Sequence, residues 1–128
     1  MSLADALRDG ERALGLALTP EQEGRLLAYL DLLQKWNRVY NLTAVRAPGE
    51  MLTHHVLDSL AVLGPLDRQA PAGGRLLDVG SGGGLPGVVI AACRPQWRVD
   101  CVDAVGKKAA FVQQVAGALG LSNLRGVH

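Results

Sequence analysis

The chemically most pointed stretch of the chain is Leu76-Leu77-Asp78-Val79-Gly80-Ser81-Gly82-Gly83-Gly84-Leu85-Pro86-Gly87. It reads as a buried strand, a glycine turn and a helix start in immediate succession. Glycines 80, 82 and 84 admit positive φ and let backbone pass close to a ligand where a Cβ would obstruct it. Pro86 is expected at the first helical position, where its missing N–H costs nothing. The other N–H groups of that helix start are then expected to face an anion or a ligand carboxylate. A junction of this kind can cradle a nucleotide cofactor; a structural turn without a ligand is the alternative.

Two ways of counting the glycines point to different cofactors. Gly80-x-Gly82-x-Gly84, following the acidic strand end Asp78, resembles the first motif of S-adenosylmethionine-dependent methyltransferases. Shifted by two, Gly82-x-Gly84-x-x-Gly87 satisfies the dinucleotide fingerprint. The first count agrees better with strand register, because the apolar run stops at Val79 and the turn therefore opens at Gly80. The second is cheap to generate in a chain with 16 glycines among 128 residues.

A second acid belongs with the turn. Arg98-Val99-Asp100-Cys101-Val102-Asp103 alternates like a strand and ends on Asp103. An acid about 20 residues beyond such a turn, at the carboxyl end of the next parallel strand, accepts hydrogen bonds from ribose hydroxyls. Both cofactors carry that ribose, so Asp103 supports a nucleotide without choosing between them. A helix cap or a surface acid is the plainer alternative.

The elements around this unit follow from periodicity and punctuation. Ser2 to Leu14 is expected to form a short helix closed near Gly15, with Leu3, Leu7 and Leu14 on one face. Thr19-Pro20-Glu21-Gln22 is a capping-box start for a long second helix carrying Leu26, Leu27, Leu30, Leu33 and Tyr40. Its end, Lys35 through Thr43, interleaves aromatics, cations and amides, a pattern that can stack bases and hold phosphates, or simply finish an amphipathic helix. A third helix is expected from about Glu50 to Leu63. It pairs His54 with Asp58 and His55 with Ser59 one turn apart, a set too incomplete for a nucleophilic triad or a metal site and compatible with a hydrogen-bonded polar ridge. The division expected is a helical cap over residues 1–63, a proline- and glycine-rich connector over 64–74, and a sheet unit over 75–128 with a helix from Val105 to Leu119 and a third strand from Leu124.

Composition limits what such a chain can be. It is 48% hydrophobic with a formal net charge of +1 and no apolar run near the length of a membrane span. Residues 1–18 mix charges into an amphipathic pattern rather than a secretory core, so a cytoplasmic location is expected. Cys93 and Cys101 lack metal-ligand spacing and are expected to be reduced, buried packing residues. Residues 1–74 hold seven Lys/Arg against nine Asp/Glu, and residues 75–128 six against three. That asymmetry permits an RNA partner without requiring one.

The motifs Lys35-Trp36-Asn37, Tyr40-Asn41-Leu42-Thr43, His55-x-x-Asp58-Ser59, Asp78 through Gly87 and Gly106-Lys107-Lys108 occur in this order along the chain. In that arrangement the chain resembles the bacterial small-subunit ribosomal RNA guanine-N7 methyltransferases, also called the glucose-inhibited division protein B family. The resemblance spans nearly the whole chain and is most specific through Leu85-Pro86-Gly87. It implies an α/β, Rossmann-like class I S-adenosylmethionine-dependent methyltransferase fold behind an N-terminal helical cap, with the parallel sheet truncated. Such sheets run 3-2-1-4-5, so a chain that stops at strand three leaves strand one without a neighbour, and either the N-terminal part of a longer protein or some other cover for that edge is expected.

What the resemblance further implies is S-adenosyl-L-methionine at the glycine turn, with Gly80 and Leu85 lining it and Asp103 on its ribose. Asp78, Ser81, Gly82 and Gly84 complete the expected cofactor set. The substrate would be one guanine of 16S ribosomal RNA, free or in the small subunit, approached by Lys35, Asn41, His55, Asp58, Ser59, Lys107 and Lys108. No catalytic base, metal or membrane partner is expected. Guanine N7 is itself a lone-pair nucleophile, so in-line positioning in a dry site suffices, and acids such as Asp78 should favour binding more than the chemical step. The other readings that remain are an NAD(P)-dependent oxidoreductase and a non-catalytic RNA-binding module.

Overall fold

The structure, a computed structural model, describes residues 2–128. Helix α1 (Leu3–Leu14) starts on a reciprocal capping box between Ser2 and Asp5 and stops at Gly15, which takes the left-handed conformation at φ 70°. Helix α2 (Pro20–Tyr40) begins as its sequence predicts: the Gln22 N–H donates to Thr19 Oγ1 at 3.2 Å, and the Thr19 N–H to Gln22 Oε1 at 3.0 Å. It ends on Asn41, at φ 54°.

The third segment of the cap departs from the expected continuous helix. It divides into α3 (Pro48–Met51), a π-helical turn (Leu52–Leu57) and α4 (Asp58–Leu60). A π turn adds a residue to the helical repeat and so rotates the side chains beyond it about the helix axis. Here Met51, Leu52, Val56, Ser59 and Leu60 are all buried, and Leu57 lies against Gly10 of α1, where a Cβ would collide with its methyl groups. The expected connector is also partly helical. Helix α5 (Leu63–Gln69) runs through Gly64-Pro65, because a proline in the first turn removes no needed donor and Leu63 buries its side chain. Only residues 70–73 link it to the sheet.

Strands β1 (Gly74–Val79), β2 (Trp97–Val102) and β3 (Leu124–Val127) form a parallel sheet with β2 in the centre. Leu76 pairs with Val99, Asp78 with Cys101, and Val99 with Leu124. Helices α6 (Gly87–Cys93) and α7 (Gly106–Ala118) provide the crossovers. Trp97, Val99, Cys101 and Leu124 are buried, whereas Leu77 is 63% and Val79 71% exposed. The reading of 76–79 as a buried strand is thus corrected at Leu77 and Val79, whose face carries no covering layer among the described residues, while β1 lies at the sheet edge as expected. Cys93 and Cys101 are free and buried, and burial pushes both thiols up to about 12.

Cap and sheet share one apolar core, in which Leu7, Leu26, Leu30 and Leu33 join Val88, Ile90 and Val112. Phe111 of α7 meets Tyr29 at 6.2 Å and Trp36 at 5.4 Å between ring centroids. Gln22 Nε2 donates to the Cys93 carbonyl at 3.0 Å. Arg94, just past α6, forms a two-pronged ion pair with Asp67 of α5, both contacts at 2.8 Å, which holds the Asp67 carboxyl below the usual carboxylate range.

Candidate functional site

The glycine turn leaves the carboxyl end of β1 and is stitched to its neighbour, the Gly80 N–H donating to the Val102 carbonyl at 2.8 Å. It then folds back on itself, with the Gly84 and Leu85 N–H groups donating to the Ser81 carbonyl at 3.1 and 3.3 Å. Gly80, Gly82 and Gly84 stand at φ 70°, 59° and 91°. At Gly80 the direction a Cβ would take is open, with nothing within 4 Å. Gly84 is there for packing, since its Cβ would come within 2.5 Å of Val88 Cγ2. Beside them the Ser81 hydroxyl is buried next to the Cys101 thiol.

Asp78 and Asp103 brace this turn from two sides. Asp78 Oδ2 accepts the Gly87 N–H at 2.9 Å, and burial raises its carboxyl above the ordinary value. The donor expected to face a ligand at the helix start is thereby taken by the protein itself. Pro86 occupies the capping position one residue before the helix, and Gly87 opens α6 in its place. A Cβ at Gly87 would lie 2.6 Å from Cys101 Sγ, so only glycine lets α6 come this close to β2. Asp103, 8% exposed, accepts the Val105 N–H on Oδ1 at 2.8 Å and the Gly82 N–H on Oδ2 at 3.1 Å. These two donors, the Val105 one foremost, hold its carboxyl below the usual range.

An open cleft of about 260 Å³ adjoins the turn, lined by His54, His55, Asp58, Ser59 and Val62 of the cap and by Leu85 and Pro86 of the turn. The structure therefore brings His55, Asp58 and Ser59 to the same place as Leu85. The polar ridge expected within the helix is not formed, because the π turn changes the spacing: among the described residues neither His54 and Asp58 nor His55 and Ser59 are hydrogen bonded. His55 Nε2 instead meets Thr43 Oγ1 at 2.8 Å. Thr43 is in turn held by buried Asn37, whose Oδ1 accepts the Thr43 N–H at 2.9 Å. In the sequence Asn37 falls within a run that reads either as base-stacking or as the end of an amphipathic helix with amide caps, and its contact here is of the second kind.

The remaining residues expected to approach RNA scatter. Lys35 pairs with Asp31 at 2.9 Å on an exposed face. Asn41 Oδ1 accepts from Arg46 Nη2 at 2.6 Å. Lys107 sits 4.9 Å from the centroid of the Tyr40 ring, itself tilted against Trp36 with ring centroids 5.2 Å apart. Lys108 lies in the first turn of α7, close enough to help hold Asp103 ionised. Tyr29 belongs to none of the expected site residues, yet its hydroxyl donates to the Gly83 carbonyl at 2.6 Å. Its position on α2 gives no sequence signal for that bond.

Comparison with known proteins adds to this geometry. The family model described as rRNA small subunit methyltransferase G (GidB) matches residues 22–128. The chain is 62% identical over 136 aligned residues to the "Ribosomal RNA small subunit methyltransferase G" of Acidovorax sp. (strain JS42), covering 99% of this chain and 60% of that protein. Against the proteins of the same name from Paracidovorax citrulli and Bordetella pertussis the identities are 59% and 57%, with 99% and 91% of this chain and 57% and 53% of theirs covered. The chain thus spans little more than half the length of these relatives. A parallel sheet with its glycine turn, the ordered cap motifs and matches of this extent agree: the chain belongs to the rRNA small subunit methyltransferase G family.

Proposed function

We propose that the glycine turn binds S-adenosyl-L-methionine and that the protein to which this sequence belongs methylates N7 of a guanine in 16S ribosomal RNA of the small subunit. The observation that carries the reading is the pairing of Gly80, at positive φ with open space over it, with Asp103 at the carboxyl edge of the next strand. The residues present fit such a cofactor: the space over Gly80 is what a Cβ would fill. Gly80, Ser81, Gly82 and Leu85 would line the cofactor, Asp103 would meet its ribose, and Gly84 and Asp78 would keep the turn and the start of α6 in place. Bound there, the cofactor supplies an electrophilic methyl group on a sulfonium.

The chain's own contribution is orientation. Guanine N7 needs no proton removed before it attacks, so no general base is assigned. His55, fixed by Thr43, with Asp58 and Ser59 would hold the base against Leu85 and Pro86 in the cleft. Lys107, next to exposed Tyr40, and Lys108 would meet phosphates, and Asn41 would shape the loop between; the pairing of Lys35 with Asp31 gives it the weakest claim. Incubating the chain, and a version of its relatives' length, with radiolabelled cofactor and either 30S subunits or bare 16S RNA tests the proposal. Label mapped to N7 of one guanine is the expected result; label absent from RNA with both proteins, or on another atom, overturns it.

A further inference from the structure

We propose that Tyr29 of α2 is a positioning residue for the glycine turn, so that the helical cap forms part of the cofactor cradle rather than only a platform for RNA. The proposal rests on the reading that this turn holds S-adenosylmethionine. Tyr29 is fully buried, stands 54 residues before Gly83 in sequence, and donates its hydroxyl proton to the Gly83 carbonyl at 2.6 Å. Without that donor the carbonyl of Gly83 would lose its side-chain partner in an apolar surround.

The contact has a counterpart on the other side of the same peptide segment. The Gly82 N–H donates to Asp103 Oδ2 at 3.1 Å, so adjacent residues of the turn are gripped by a strand end and by the cap. The cap also leaves little room for side chains on the turn. A Cβ on Gly83 would lie 3.2 Å from Leu33 Cδ1, one helical turn after Tyr29, and a Cβ on Gly82 3.9 Å from the Leu42 carbonyl. Tyr29 is itself immobilised by Phe111 of α7, the helix that comes after Asp103. A turn of small residues has many accessible conformations, and fixing it before the ligand arrives removes part of the ordering cost from the binding step. Tyr29 touches no reacting atom; it acts through Gly83.

The test compares Tyr29→Phe, which keeps the ring and removes the hydroxyl, with Thr19→Ala, which removes the cap at the start of the same helix and contacts no part of the turn. Both are expected to lower thermal stability modestly, so a purely structural role would move them together. Calorimetric titration with S-adenosylmethionine is expected to give Tyr29→Phe an affinity roughly three- to tenfold weaker, as for one lost neutral hydrogen bond, and Thr19→Ala an affinity equal to the parent chain. Amide exchange is expected to quicken at Gly82 to Leu85 in Tyr29→Phe alone. Equal affinity in parent and Tyr29→Phe, or equal weakening in both variants, overturns the role of Tyr29 while leaving the cofactor in place. No binding by the parent chain overturns the cofactor reading, and this inference with it.

Discussion

Asp103 and Gly82 lie at opposite ends of a 3.1 Å hydrogen bond that ties the end of β2 to the middle of the glycine turn, while the other carboxylate oxygen of Asp103 holds the Val105 N–H. One side chain thus shapes both the cradle and the entry to α7. Asp103→Ala should cost about 1–3 kcal/mol of stability through two unsatisfied donors and weaken cofactor binding at least tenfold. Asp103→Asn, which keeps one acceptor, should fall between. Chemical denaturation and calorimetry on both variants check this, and an unchanged affinity in Asp103→Ala would remove Asp103 from the site.

Gly80 separates conformational strain from ligand room. Because no atom lies within 4 Å of its Cβ direction, Gly80→Ala should lose only about 1 kcal/mol from the positive φ. Its cofactor binding should nevertheless be abolished or nearly so. Gly87→Ala should behave in the opposite manner, since its Cβ would press on Cys101 Sγ, Asp78 Oδ2 and Val99. A stability loss of about 1–3 kcal/mol is expected there from overpacking, read as a fall in melting temperature.

Glu11 sets a pH dependence of the cap. It is 4% exposed, with Oε1 accepting the Leu18 N–H at 3.0 Å and Oε2 without a partner. Burial, and after it the neighbouring Glu23 carboxylate, raises its carboxyl above 4.5. A raised folded value means that the folded chain holds the proton more tightly, so this contribution is complete below 4.5 and is lost as pH rises through the folded value. The depressed carboxyls of Asp67, Asp100 and Asp103 work the other way, their contributions being lost only as pH falls below 3.8. Glu11→Gln should therefore raise the stability at a pH of about 7.5 by on the order of 1 kcal/mol, read as a higher melting temperature, and flatten the decline in stability above pH 4.5.

The uncovered face of β1 makes a colloidal prediction. Leu77 and Val79 are exposed on an edge strand, the arrangement that invites strand pairing and aggregation. Leu77→Lys and Val79→Lys together should leave the stability within about 1 kcal/mol of the parent, as surface substitutions do, and reduce concentration-dependent light scattering. Scattering that persists unchanged would place the association elsewhere.

The local signals were the legible part. The capping residue Thr19 and the stop near Gly15 fixed helix ends because each satisfies its own neighbours' backbone groups. The parallel order of the strands came from the two crossover helices, and the glycine turn from the end of the apolar run at Val79. Long-range partnerships left no such mark. Nothing near Asp78 announces that its carboxylate is taken by Gly87 nine residues on, and nothing near Tyr29 announces Gly83. The π turn at Leu52–Leu57 broke an i, i+4 argument for His54 and His55 that assumed a regular helix. Leu77 and Val79 read as core because strand composition reports what a complete sheet would cover, whereas their exposure depends on which layers are present.

The most direct measurement of the central claim is a calorimetric titration of the chain with S-adenosylmethionine, with NAD in a parallel run and Gly80→Ala as the blocked variant. Saturable heat with S-adenosylmethionine, none with NAD and none with Gly80→Ala is the predicted result. Heat with NAD and none with S-adenosylmethionine, or full binding by Gly80→Ala, would contradict it.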